Sequence, residues 1–203
     1  EIETMLAAIG LGMGSPLSPI QLLWINLMTD IFPGLALAVE PAQKGIMDRR
    51  PRSPTEPLIS RRELSRMAAQ SVIITAGSLA AYVYGSARHG SSAAGATLAF
   101  NTLTTAQLLH AVSCRSTGPV LFRGEPLPRN PKLELALGAS LSVQLLANLV
   151  PSLRRLLGLV PMGWGDILVT AAGALLPLVI NESTKGAGVP AFGGVSKHRD
   201  SLP

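Results

Sequence analysis

The sequence predicts an all-α membrane protein: a bundle of about five full transmembrane helices plus the end of a sixth, one of them broken beside an acid. Three observations predict it. First, 47% of the 203 residues are hydrophobic and only 14% are charged, with a mean hydropathy of +0.37; soluble domains carry about 25% charged residues. Second, the apolar residues gather into runs of about 20, enough for a helix to cross a bilayer, without the two-residue alternation of barrel strands. Third, the basic residues fall between these runs and alternate in number from loop to loop.

The first run, residues 1–14, opens in mid-pattern at Glu1-Ile2-Glu3-Thr4-Met5 and reads as the tail of a helix that starts upstream. With no initiator Met and no signal peptide, the chain reads as a piece of a longer protein. Full spans are expected at about 19–39, 66–87, 94–113, 133–151 and 164–181. The Gly and Ala residues of the first, third and sixth runs suit close helix approach. Asn101, Thr104 and Thr105 read as packing polar groups on the fourth run. Gln144 and Asn148 are four apart on the fifth, share a face, and read as interhelical hydrogen-bonding groups. Residues 40–60 carry Pro41, Pro51, Pro54 and Pro57, which rule out a continuous helix and suggest a turn-rich connector or a docking segment. Residues 151–163, with Arg154, Arg155 and the adjoining Trp164, suit an external loop anchored by an aromatic ring at headgroup level.

Lys and Arg number seven in 40–66, one in 88–93, four in 114–132, two in 152–163 and three in the tail. Fourteen of the 17 therefore share one side, which the charge bias makes cytoplasmic, with the C-terminus there. Residues 182–203, rich in Gly, Ser and Lys, are expected to form a disordered cytoplasmic tail. The net charge of +5 reads as topology. No aromatic residues interleave with the basic ones, so nucleic acid is not an expected partner. Cys114 is the sole cysteine, which excludes an internal disulfide, and no motif around it supports a reactive thiol.

The candidate site lies in the second run, Ile20-Gln21-Leu22-Leu23-Trp24-Ile25-Asn26-Leu27-Met28-Thr29-Asp30-Ile31-Phe32-Pro33-Gly34. Asp30 is the only formal charge between Gln21 and Val39. An intramembrane carboxylate is costly without a partner and marks a functional site. Asn26 and Thr29 lie one turn and one residue before it, and Pro33-Gly34 is expected to break the helix. Oxygen donors on a broken membrane helix are what a dehydrated hard cation needs. Asn26 and Thr29 could instead be polar contacts between helices.

Residues 16–60 resemble the sixth membrane helix and following cytoplasmic loop of P-type cation pumps, closest to the calcium-pump branch. The motifs are Pro19-Ile-Gln-Leu-Leu-Trp-Ile-Asn-Leu-Met-Thr-Asp-Ile-Phe-Pro-Gly34 and Gly45-Ile-Met-Asp-Arg-Arg-Pro-Arg-Ser-Pro-Thr-Glu-Pro-Leu-Ile-Ser60. The resemblance continues more weakly through the remaining helices, where hydropathy and loop lengths match. It implies cation ligands at Asn26, Thr29 and Asp30, and a further one on the preceding helix at Glu1, with Glu3 as the neighbouring alternative. The family's eighth helix corresponds to Thr104–Ser113, where Gln107 stands in place of an acid; losing that charge favours a single-ion pump. Sodium/potassium pumps carry aspartate where this chain has Asn26, which points to calcium or a similar divalent ion such as manganese. His110 reads as a packing residue.

The family's phosphorylation motif DKTGT, its TGE loop and its PEGL-like helix break are all absent from this sequence, as is a GxxxxGK[ST] loop. Residues 1–181 are thus expected to be the C-terminal transport domain of a P-type ATPase. Its partners would be the lipid bilayer and the pump's N-terminal helices and cytoplasmic catalytic domains. ATP and magnesium would act only through those missing domains, so the chain alone would not hydrolyse ATP. The expected setting is a multi-pass protein of the plasma (inner) membrane, bacterial in style from its Ala/Gly/Arg-rich composition. The rival readings are a non-enzymatic orphan membrane protein, a cation-binding subunit, or a passive cation pore.

Overall fold

A computed structural model describes residues 1–42, 59, 61–115 and 128–185. Among these residues every regular element is a helix. Residues 43–58 and 60 of the proline-rich connector, and the expected tail beyond Lys185, lie outside the described residues. Helix α1 (Ile2–Gly10) ends in a turn that leads to α2 (Pro19–Asn26). There Ser18 and Gln21 form a reciprocal capping box and Pro19 takes the first helical position, where no N–H is needed. The helix then widens into a π turn (Leu27–Ile31) and resumes as α3 (Phe32–Ala38).

This differs from the expected break at Pro33-Gly34. A proline inside an unbroken α-helix removes a donor and clashes with the carbonyl four residues back. The chain meets that constraint by widening one turn before Pro33, which then sits in the first turn of α3. The helix bulges rather than stops, and the bulge carries Thr29 and Asp30.

Helices α4 (Arg61–His89), α5 (Ser92–Ser113) and α8 (Trp164–Lys185) form the tight centre of the bundle. Gly90, with φ +61°, makes the sharp turn from α4 to α5. Small residues set the spacing. A Cβ on Gly77 would lie 2.7 Å from the Gly173 carbonyl oxygen of α8. That carbonyl is four residues before Pro177, which has no N–H to give it. The expected close approach therefore occurs on the third and sixth runs, but among the described residues nothing approaches Gly10 of the first.

Three stretches are long and apolar enough to cross a membrane by length and composition: Pro19–Ala38, Glu63–His89 and Trp164–Lys185. Helices α5 and α6 (Pro131–Leu149) have comparable length but carry many buried polar groups. Helix α5 is central, burying Thr97, Asn101, Thr102 and Thr104 against its neighbours. Asn101 exchanges hydrogen bonds with Asn148 of α6 at 2.7 and 3.1 Å and accepts one from Gln144 at 2.9 Å. Gln144 in turn accepts from the Trp24 indole of α2 at 2.9 Å. The polar residues of the fourth and fifth runs thus join α2, α5 and α6. Such pairs satisfy groups that lipid cannot.

The remaining elements close the ends. The short helix α7 (Pro151–Leu156) occupies the expected interfacial loop, and Trp164 is 84% exposed just beyond it. Asp166 near the start of α8 accepts from the Gly163 N–H at 2.8 Å and pairs with His89 at the end of α4 at 3.0 Å. Helix α8 runs past the expected span boundary to Lys185. Glu182 and Lys185 are buried there, 2.8 Å apart, and Ser113 of α5 donates to Glu182 at 2.6 Å. Just past α3, Glu40 accepts from Arg115 at 2.8 Å and from Asn130. Burial alone would raise the Glu40 pKa; the Arg115 guanidinium and the Asn130 amide outweigh it and hold the carboxyl below its ordinary range.

Candidate cation site

The π turn faces a cavity of about 640 Å³ between α1, α3 and α5. Glu1, Asn26, Thr29, Asp30 and Gln107 all line it. The five residues singled out in the sequence are therefore neighbours in space. They come from three helices and from positions up to 106 apart in the chain. Glu3, the alternative to Glu1, lines the same cavity, but its carboxylate also accepts a hydrogen bond from Ser71 of α4.

Local geometry explains how the π turn presents oxygen. The Thr29 hydroxyl lies 2.9 Å from the Ile25 carbonyl and 3.1 Å from an Asp30 carboxylate oxygen. It has one proton and can serve only one of them at a time, so acceptor lone pairs stay available. The Met28 carbonyl has Pro33 five residues on, where the π pattern would look for an N–H that proline lacks. Ser140 of α6 donates to that carbonyl instead, at 3.0 Å.

The electrostatics favour a cation. Glu1, Glu3 and Asp30 bring three carboxyl groups to the wall, and among the described residues no Lys or Arg lines it. A cleft of one sign with low-dielectric walls concentrates counter-ions. Among the described residues no group of three His, Cys, Asp or Glu side chains converges as a ready metal cluster. The donor set is mixed: carboxylates, the amide oxygens of Asn26 and Gln107, and the Thr29 hydroxyl. Hard cations with flexible oxygen coordination accept such a set. Asn26 and Asp30 are exposed in this chain, so the cavity is open on the side of α2 and α3.

The structure adds residues that the sequence reading passed over. A side chamber of about 210 Å³ shares Glu1, Ser71, Gln107 and His110 with the main cavity and adds Gln70 and Thr75 of α4. His110 thus lines both spaces, and its Nδ1 is buried without a hydrogen-bond partner among the described residues. The signal for Gln70, Ser71 and Thr75 was present: they are polar interruptions in an apolar run. Nothing local marks them as facing a cavity rather than another helix.

Residues 14–187 match the family model described as cation transporting ATPase, C-terminus. The chain is 35% identical over 182 residues to a calcium-transporting ATPase of Bacillus subtilis, an alignment covering 87% of this chain and 20% of that protein. It is 29% identical over 204 residues to calcium-transporting ATPase 1 of Bacillus cereus, covering 91% of this chain and 22% of the other. A probable cation-transporting ATPase F of Mycobacterium bovis is 28% identical over 181 residues, with 89% and 20% covered. The chain spans about a fifth of the length of these curated relatives. A helical bundle with membrane-spanning stretches, an acid on a π turn and this match along most of its length agree, and the chain belongs to the C-terminal family of cation-transporting ATPases.

Proposed function

We propose that this chain is the membrane transport portion of an ATP-driven divalent cation pump of the calcium type. Asp30, Asn26, Thr29, Glu1 and Gln107 bind the ion. ATP and magnesium act on catalytic domains supplied by the rest of the pump. The observation that carries the reading is the meeting of these five residues on one cavity at the π turn. Calcium is favoured because two relatives are named calcium-transporting and because the donors are all oxygen. Gln107, a neutral amide where the family's eighth helix carries an acid, favours one ion per cycle. In this reading five helices span the bilayer fully, α1 completes a sixth, and the C-terminus is cytoplasmic in a plasma (inner) membrane.

Asp30→Asn tests it in the full-length polypeptide, in inverted membrane vesicles supplied with ATP. The exchange keeps volume and removes the charge. Calcium uptake should fall at least tenfold at a subsaturating concentration, the scale set by losing a charged partner in a desolvated site, about 1.5–3 kcal/mol. Uptake with unchanged calcium dependence would overturn the ligand role.

A further inference from the structure

We infer that Ser140 is a positioning residue for the cation site, acting through the π turn. The inference rests on the site proposed above. Helix α6 runs antiparallel to the α2–α3 stretch and bonds it at three levels. The Asn130 amide donates to the Ala36 carbonyl at 3.1 Å, the Ser140 hydroxyl to the Met28 carbonyl at 3.0 Å, and Gln144 accepts from Trp24 at 2.9 Å. Asn130, Ser140 and Gln144 are all at most 4% exposed. The middle bond differs from the other two. It falls inside the bulge, on a carbonyl that the backbone cannot satisfy in the π pattern because Pro33 has no N–H. A buried carbonyl without a donor is costly, and in an apolar setting water does not supply one.

Met28 directly precedes Thr29 and Asp30, so whatever fixes its carbonyl fixes the turn that aims their oxygens. A π turn and an α turn direct these side chains differently, since one extra residue per turn rotates everything that follows. Ser140 therefore selects the wide turn, and Pro33 is the reason it is needed. Asn130 and Gln144 dock the helix at its two ends without choosing the turn. Ser142, two residues on, spends its hydroxyl on the Gly138 carbonyl of its own helix and is exposed.

The test is calcium binding at equilibrium to the purified full-length polypeptide, in four variants: Ser140→Ala, Pro33→Ala, the two combined, and Ser142→Ala. Ser140→Ala should raise the dissociation constant about fivefold, the scale of one lost buried hydrogen bond. Ser142→Ala should change it less than twofold. In the Pro33→Ala background residue 33 regains an N–H, so adding Ser140→Ala should cost less than twofold. A role in general folding would lower the amount of protein without this dependence on residue 33. Equal effects of Ser140→Ala in both backgrounds would overturn the inference, as would an unchanged dissociation constant. If Ser140→Ala does not accumulate, Ser140→Cys keeps a weak donor and should give a smaller loss of the same pattern. If Asp30→Asn abolishes binding while Ser140→Ala leaves it intact, this inference alone falls. If Asp30→Asn leaves binding intact, the site reading falls and this one with it.

Discussion

Single residues matter most here where a polar group has no water to turn to. Met28 offers a carbonyl, Pro33 withholds a donor, and Ser140 supplies one from another helix. Asp30 was legible from the sequence because a lone carboxylate in a 19-residue stretch from Gln21 to Val39 has few bland explanations. Ser140 was not, since one serine in a helix is common and its partner is a backbone atom 112 positions away. Glu40 shows the same logic outside the spans. Its carboxyl is held below the ordinary carboxylate range, against the opposing pull of burial, by Arg115 and Asn130. A depressed carboxyl pKa contributes stability above the unfolded value and loses it as pH falls through the folded one. The melting temperature of the detergent-solubilised protein should therefore drop more steeply below about pH 4.5 than that of Glu40→Gln, which should melt lower at pH 7 and vary less with pH. Parallel pH profiles for the two proteins would remove Glu40 from this role.

At the scale of elements, the helices follow their caps and breaks closely. Ser18-Pro19 and Asn130-Pro131 open helices because a capping oxygen and a proline both suit a first turn. Packing between helices depends on what is missing at a few glycines. In the α4–α5 pair, a Cβ on Gly95 would lie 2.6 Å from the Tyr82 carbonyl and 2.0 Å from the Ser86 hydroxyl. The hydroxyl can rotate away, but the carbonyl belongs to a helix that would have to move. Among the described residues, Gly138 of α6 has nothing within 4 Å of the same position. Gly95→Ala should thus destabilise by about 1–3 kcal/mol, while Gly138→Ala should be neutral or stabilise by about 0.5–1 kcal/mol. Thermal melting of the two single variants separates them, and a neutral Gly95→Ala would show that the helices can part without cost.

The whole molecule is organised around α5, the helix the bundle wraps. It carries Gln107 and His110 to the cavity, Asn101 to the amide cluster and Ser113 to the buried Glu182–Lys185 pair. A helix in that position has little need of an apolar surface, and α5 buries Thr97, Asn101, Thr102 and Thr104 against its neighbours. Orientation follows from the basic residues. In a Cys114→Ser background, a cysteine at Ser53 should react with a membrane-impermeant thiol reagent only from the cytoplasmic side, and one at Ser91 only from the opposite side. Labelling of both from one side would overturn the proposed topology.

The sequence by itself determined the helical class, the places where helices begin, and the candidate ligands. Run length, caps, charge placement and a lone acid are local properties, readable without partners. It did not determine that Pro33 would widen the helix rather than break it. That choice depends on whether a freed carbonyl finds a donor, and the donor comes from α6. Nor did it determine that Glu182 and Lys185 would be buried in a helix, because their composition suits a solvated tail until each has the other and Ser113 as partners. Only the tertiary structure brought Glu1, Gln107 and the π turn to one cavity. The free energy that decides these points is that of satisfying polar groups out of water, and it is settled between segments far apart in the chain.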